Sequence, residues 1–520
     1  MTEGELIDKM VGDLYNLAAD RKTGVKYGLA RFAVPWGNKG SEQYRATAVA
    51  FGNAIVDFAK DCGIKYYSNS FWYFNGKVYE IINESAVSMA YDMLMMKMGI
   101  ATMMTNDQFK KKYFINIIKG YNPLRVRNDV VAFSNRIVDL RKGDNEKYQH
   151  SWNPKWHIID YHPYPYDPKA TAPLFHRFLN EVLPDKRQRD ILQMFLGLGL
   201  VQSQDAFDKK YSGPRGTTEI CLILLGSGAN GKSVLFNIIV ALFGKQHVTS
   251  VDYDTMTSDG DEGLRGRATI RSAVFNWSSD SDPRRFGKKN NAVFKQICSG
   301  EPYQYRLLGK DIMTAERCPY LIFSFNELPT LSEATGGFMR RLQFVNFDVT
   351  IPKYKQDPTL AQRIIDNDLP GVFNWVMRGA KEIRRRKFQF PSSDVSLKNK
   401  VKALMPTNPV FAWKLTYSLR GDVVNPLEAA ELIPAETLYL CFTKFCDNNN
   451  FDSSVISMQK FGRILATLGF EKIRTGKGVV YKCYGANENQ LRTPMMIDML
   501  KETGGDAFSS NDAESYIKED

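Results

Sequence analysis

Residues 221–239 read CLILLGSGANGKSVLFNII. The first five form an unbroken apolar run, the pattern of a short strand covered on both faces. Gly226-Ser227-Gly228-Ala229-Asn230-Gly231-Lys232-Ser233 then fits G-x-x-x-x-G-K-[ST], and Val234 opens an apolar stretch that predicts a helix closed by Gly244. Each part has a physical task. Glycines let backbone N–H groups turn inward around an anion, and the helix N-terminus adds partial positive charge. Lys232 neutralises the β/γ-phosphates of a nucleotide, while Ser233 offers its hydroxyl to Mg²⁺. Residues 226–234 are thus the expected nucleotide-binding set, with ATP and Mg²⁺ as the expected ligands.

Hydrolysis needs more than a cradle. An acid must hold Mg²⁺ and orient water, usually from the end of a neighbouring strand. The stretch 270–283, IRSAVFNWSSDSDP followed by Arg284, supplies a strand running into Asp280, with Asp282 in reserve. A third strand, PYLIFSFNELP, ends in Asn326, whose amide can reach a γ-phosphate or the lytic water. TGGFMRRLQFVNF follows, and there Arg340 or Arg341 can stabilise transition-state charge on a neighbour's nucleotide. Taken singly, Asp-Ser-Asp reads equally as a turn, Asn326 as a cap and the arginines as a surface pair. Their order and compactness favour the catalytic reading: 48 residues separate Lys232 from Asp280, 46 separate Asp280 from Asn326, and 14 separate Asn326 from Arg340.

Outward from this core, the 520-residue chain is long enough for several units. Residues 1–100 read as an α+β domain of unclear role. Within it, SEQYRATAVAFGNAIVDFAKDCGI places Val49, Ile55 and Phe58 on one helical face. KYYSNSFWYFNGKVYEII reads as two strands around an Asn75-Gly76 type I′ turn, its Phe71–Phe74 run a half-buried sheet rather than a base-stacking platform. Residues 101–205 read as a mostly helical domain interrupted by a strand–turn–strand and by the Pro- and aromatic-rich connector HIIDYHPYPYDPKA. An α/β domain at 206–385, a small helix-rich domain with a hairpin at 400–485 and a polar tail at 486–520 complete the chain. Arg384, Arg385 and Arg386 read as a solvated helix end.

Composition narrows the partners. The net charge of +12 suits a polyanion without proving one. No apolar run reaches the length of a bilayer span, and the first residues lack a signal-peptide layout, so a cytoplasmic location without membrane is expected. Seven scattered cysteines read as reduced, structural thiols, and His157, His162 and His176 as structural side chains.

The set GSGANGKS, NWSSDSD, FKQICSGEPYQYRLLGK, LIFSFNELP and GGFMRRLQF resembles superfamily 3 DNA helicases, most of all those of phage, plasmid and large-DNA-virus primase–helicases. The likeness extends over about residues 105–485. It implies an AAA+-like P-loop core behind a helical N-terminal region and before a winged-helix-like C-terminal domain. It also implies a hexameric homo-oligomer that hydrolyses ATP at subunit interfaces and translocates on single-stranded DNA, typically 3′ to 5′, to unwind forks in phage or mobile-element replication. Carried over by motif, Asp280 is the acidic position, a place where Glu is commoner. Asn326 becomes the sensor asparagine and Arg340 or Arg341 the arginine finger. Lys295, Arg306 and Lys310 fall in the region that reaches into the ring channel and are the DNA-contact candidates. A primase pattern of paired aspartates with a downstream histidine is missing from the N-terminal part, so a separate primase partner is expected.

Beyond the core, ISMQKFGRILATLGFEKIRTGKGVVYKCYG reads as a helix and a basic hairpin. Phe461, Ile464, Leu465 and Leu468 form the buried face, leaving Lys460 and Arg463 outward and Arg474 and Lys477 at the loop, an arrangement suited to duplex phosphates. Two other functions compete. One is a ring ATPase that melts or loads at an origin with little processive unwinding. The other is a P-loop kinase or switch, which would not need the asparagine and trans arginines after the third strand. The host expected for such a replication protein is bacterial.

Overall fold

The apolar run at 221–225 becomes a buried strand with helices against it, which its unalternating hydrophobicity requires. The computed structural model describes residues 2–19, 29, 32, 42–67, 69–100, 106–126, 130–139, 152–200, 218–279, 281–284, 286–287, 291–315, 317–331, 336–423, 428–476 and 478–492. They fall into two compact units, Met1–Tyr166 and Asp167–Asp520. The segment 101–205 is therefore shared between them, and the division lies inside the connector HIIDYHPYPYDPKA.

The first unit contains α1 (Glu3–Ala19), α2 (Glu42–Asp61), β1 (Lys65–Tyr67), β2 (Ser70–Phe74), β3 (Tyr79–Ile82) and α3 (Glu84–Lys97). After these, α4 (Asp107–Lys110) passes through a π-helical turn (Lys111–Ile115) into α5 (Asn116–Tyr121). A small sheet of β4 (Val130–Phe133), β5 (Ile137–Asp139) and β6 (Tyr161–His162) follows. On α2, Ile55 and Phe58 are buried, but Val49 is 65% exposed. Six residues is about one and two-thirds helical turns, so Val49 does not share the stripe that Phe51, Ala54, Ile55 and Phe58 fill. The hairpin also departs from expectation. Phe74 pairs with Tyr79, so residues 75–78 form a four-residue loop closed by Asn75, whose Oδ1 accepts from Lys77 N and Val78 N. Phe71, Trp72 and Tyr73 are buried, which commits those rings to the core.

The second unit begins with α6 (Pro173–Val182) and α7 (Lys186–Leu198). A five-stranded sheet is then laid down by β7 (Cys221–Leu225), β8 (Val248–Thr249) and β9 (Phe275–Ser278). Between them run α8 (Lys232–Phe243), α9 (Tyr253–Thr257) and α10 (Gly260–Ile270). Next come α11 (Asn291–Cys298) and the hairpin β10 (Tyr303–Arg306) and β11 (Ile312–Ala315). The sheet is completed by β12 (Tyr320–Phe325) and, after α12 (Gly336–Met339), by β13 (Leu342–Asn346). All four pairings in the sheet are parallel, and its order is β13-β7-β12-β9-β8. The chain is thus mixed α/β with a parallel sheet. β7 is second in this order, flanked by the last two strands to be laid down, and such a reversal of strand order places a crevice at the carboxyl end of β7.

Helices close the borders of this sheet. α13 (Leu360–Arg385) crosses α7 at van der Waals distance, where a Cβ on Gly379 would lie 2.0 Å from Gln193 O. In a parallel strand alternate N–H groups point away from the neighbour. On β13 these outward donors meet side chains: Phe344 N donates to Ser396 Oγ (3.0 Å) of α14 (Asp394–Leu404), and Asn346 N to Gln188 Oε1 (2.6 Å). Asn399 also donates to Asn346 Oδ1 (2.6 Å).

The C-terminal part adds α15 (Pro409–Thr416), β14 (Glu431–Pro434), α16 (Ala435–Asn448), α17 (Met458–Thr467), β15 (Glu471–Thr475), β16 (Gly478–Cys483) and α18 (Glu488–Arg492). Its antiparallel sheet has the order β14-β16-β15. Trp413, Phe442, Phe461 and Leu465 share one hydrophobic core with Ile223, Phe323 and Phe344 of the parallel sheet. All seven cysteines are buried free thiols. No described helix is long and apolar enough to cross a membrane.

Candidate functional site

The loop that follows β7 has the shape its glycines permit. Gly228, Ala229 and Gly231 all have positive φ (105°, 48° and 85°), and α8 starts directly after Gly231. Successive turns of this hand direct N–H groups toward a common centre, the geometry that cradles anions. Gly231 is also required sterically, since a Cβ there would lie 2.8 Å from Phe178 Cε2 and 2.9 Å from Val182 Cγ1 of α6. The buried Lys232 sits at the start of α8, with Nζ donating to Gly226 O at 2.5 Å. Ser227 and Ala229 are exposed on the loop, and Ser233 is exposed on the first turn of the helix, beside Val234.

Distant backbone rivets this loop from two sides. Gly226 N donates to Phe325 O (3.1 Å), joining it to β12, while Phe347 N donates to Leu225 O (2.7 Å). The buried Asn230 donates from Nδ2 to Phe347 O (3.3 Å), and Ile351 N donates to Ala229 O (2.8 Å). Asn230 is therefore a structural clamp on the strand exit at 347–351, a role its place inside the motif did not disclose.

The carboxyl end of the sheet collects further polar groups. Asn326 is exposed immediately after β12, next to the residue that anchors Gly226. Asp280 lies outside the described residues. Asp282 is described: Ser281 N donates to Ser324 O (3.1 Å), which holds the exit of β9 against β12. Its carboxylate accepts from Arg284 N (2.9 Å) and Nε (3.2 Å), and this contact raises the Arg284 pKa above its ordinary value.

Arg340 and Arg341 sit at the opposite end. Cys221 N, at the start of β7, donates to Arg341 O (2.6 Å), and both guanidiniums pair with Glu219 Oε2, at 2.7 Å and 2.6 Å. The two differ sharply in setting, with side chains 58% and 8% exposed. Arg341 further donates to Gly337 O and to Ser299 Oγ (2.7 Å). From Cys221 to Leu225 the strand advances about 13 Å, so neither arginine lies at the loop of its own chain.

Of the remaining candidates, Arg306 is engaged internally. It donates to Lys310 O (2.9 Å) and to Asp261 Oδ1 (2.9 Å), so it braces the β10–β11 turn. Lys310 is exposed at that turn beside Leu308, and Lys295 is half-buried on α11. Lys460 and Arg463 are exposed on α17, whose Phe461 and Leu465 are buried and whose Ile464 packs partly buried on the same core, as does Leu468 just after the helix. Arg474 is exposed on β15, and Lys477 lies outside the described residues. Two of the histidines have ordinary structural partners: His157 Nδ1 accepts from Arg125 N (3.2 Å), and His162 Nδ1 meets the Tyr164 hydroxyl (3.1 Å).

A parallel α/β sheet with a glycine-rich loop at the carboxyl end of an inner strand is the class of structure these observations define. Residues 224–341, from the loop to the arginine pair, match a family of unknown function, DUF5906. The chain is similar to a protein of Acanthamoeba polyphaga mimivirus named "Putative helicase L207/L206", at 24% identity over 277 residues. That match takes in 49% of this chain and 26% of the relative, so the chain spans about a quarter of the relative's length. Two apo structures of the C-terminal region of NrS-1 align over 83% of this chain and 98% and 99% of theirs, at 9% and 11% identity and TM-scores of 0.42 and 0.44.

Proposed function

We propose that this chain is an ATP-driven replicative DNA helicase, working as a homo-oligomeric ring, most simply a hexamer, on single-stranded and forked DNA. The observation that carries the reading is the separation of the loop from Arg340 and Arg341 by the length of β7. An arginine at the amino end of the sheet can serve only a nucleotide held by another copy, and copies arranged head to tail form a ring when the rotation between them closes. The name of the mimivirus relative supports the same reading.

In this mechanism, residues 226–234 hold the triphosphate through the N–H groups that follow Gly226 and the ammonium of Lys232, with the partial charge of α8 behind them. Ser233 and a carboxylate from Asp280 or Asp282 are an oxygen-only donor set, which fits Mg²⁺. Held there, Mg²⁺ would supply positive charge to offset that of the triphosphate. Asn326 orients water at the γ-phosphate. Arg340 or Arg341 of the adjoining copy stabilises charge as the bond breaks.

DNA is gripped at two places. Lys310, at the turn braced by Arg306, and Lys295 on α11 meet the strand in the ring channel. The C-terminal part acts as a winged helix, placing Lys460, Arg463, Arg474 and Lys477 on duplex phosphates. A separate primase completes the machinery, in the cytoplasm of a bacterial host replicating a phage or mobile element.

The test is ATP turnover with and without single-stranded DNA, beside displacement of a labelled strand from a forked duplex. DNA-stimulated turnover with displacement is expected, and Lys232→Ala is expected to abolish turnover while keeping the fold. Turnover without displacement would favour origin melting or loading instead. A chain that neither responds to DNA nor depends on Lys232 would sink the proposal.

A further inference from the structure

Beyond β13 the chain makes a short 3-10 turn, Lys353–Lys355, after Pro352. Tyr354 at its centre is 85% exposed, the highest among the exposed large hydrophobic side chains. An aromatic ring so placed forgoes the burial that ordinarily stabilises it. The turn itself is well built. Lys355 N donates to Pro352 O (2.8 Å), Gln356 Nε2 returns to Ile351 O (2.9 Å), and Asp357 accepts from Thr359 N (2.8 Å) and pairs with Arg363.

Its location gives the ring a use. Ile351 N donates to Ala229 O, so the turn starts from the phosphate loop itself. Tyr354 lies three residues beyond Ile351, so its Cα stands within about 10 Å of the residue anchored to Ala229 O. Lys355 Nζ stands 5.9 Å from the ring centroid, and Lys353 is also exposed.

We propose that Tyr354 is the base platform of the nucleotide site: its ring stacks on the base of the nucleotide whose phosphates residues 226–234 hold. The inference rests on the loop binding a nucleotide, as proposed above. A ring face has no donor–acceptor pattern, so Tyr354 supplies affinity for a base without choosing among bases.

Calorimetric titration with ADP and with inorganic triphosphate separates the base from the phosphates. Tyr354→Ala is expected to weaken ADP binding roughly ten-fold or more, with triphosphate affinity held and Tyr354→Phe close to the parent protein. Three results would overturn the platform. One is unchanged ADP affinity in Tyr354→Ala while Lys232→Ala loses ADP, which leaves the loop assignment intact. A second is equal loss of ADP and triphosphate, which would make the turn a support for the loop. The third is loss of oligo(dT) affinity alone, which would assign the ring to DNA. If Lys232→Ala keeps full ADP affinity, the loop assignment itself fails, and the platform with it.

Discussion

Arg340 and Arg341 are neighbours in sequence that share Glu219, yet their environments call for opposite responses to truncation. Arg340 is 58% exposed, and an ion pair so solvated is worth about 0–1 kcal/mol. Arg340→Ala should therefore leave the unfolding transition of the second unit almost unmoved. If Arg340 is the residue offered to an adjoining copy, the same variant should bind nucleotide and fail to turn it over, a loss of roughly 10³-fold or more for an arginine of this kind. Arg341 is 8% exposed and joined to Gly337 O, Ser299 Oγ and Glu219. Removing one side of a buried pair costs about 3–5 kcal/mol. Here Glu219 keeps Arg340 and stays one-third exposed, so about 2–4 kcal/mol is the better figure. Urea unfolding followed by tryptophan fluorescence measures the first quantity, and ATP turnover at saturating nucleotide the second. A further arm mixes Arg340→Ala with Lys232→Ala: each supplies what the other lacks, so turnover should partly return. Full activity in Arg340→Ala, or an Arg341→Ala chain as stable as its parent, would refute the assignment of roles.

Two other perturbations follow from geometry. Gly228 and Gly231 both have positive φ, but a Cβ on Gly228 meets nothing within 4 Å, whereas one on Gly231 strikes Phe178 and Val182. Gly228→Ala should cost about 1–2 kcal/mol of backbone strain, and Gly231→Ala about 1–3 kcal/mol more; the reverse order in denaturant unfolding would show that α6 does not press on the loop. Burial pushes the Lys400 ammonium on α14 down to about 8 from 10.5. The cost of holding it charged is full below pH 8 and fades as the folded form loses its proton between pH 8 and 10.5. Lys400→Met should gain roughly 1–3 kcal/mol at pH 7 and little near pH 10.5; a gain that persists at the higher pH would exclude desolvation as its cause.

Local pattern carried the reading where the physics is local. CLILL, the glycine loop and the helix to Gly244 form one contiguous signal, and Gly244 N does close α8 on Val240 O (2.8 Å). VVAFSNRIVD likewise gave the antiparallel pair β4–β5. Elsewhere the deciding contact is remote in sequence. Asn230 answers to Phe347, and Arg341 is buried by Ser299 and Glu219, so no window around either residue contains the reason for its conformation. The pairing of Arg306 with Asp261, 45 residues away, was likewise invisible in the sequence around either residue. Val49 is a different error: the stripe Phe51, Ala54, Ile55, Phe58 was legible from spacing alone. The unit boundary was not legible in the sequence: it falls in the proline-rich connector that contains Tyr166 and Asp167, which reads as the interior of the 101–205 segment.

The side chains that meet the outward donors of β13 bear on how copies of this chain behave when crowded. Sheets grow by backbone: a border strand with vacant N–H and C=O groups recruits another strand, and the product is an aggregate. Ser396 and Gln188 occupy that border on one side, and on the other the sheet ends in a strand only two residues long. In the ring proposed above, copies of the chain stand side by side and concentrate their own borders. Closing them removes a route to irreversible polymer and leaves association to side chains, where contacts can be made and released as often as the chemistry between copies demands.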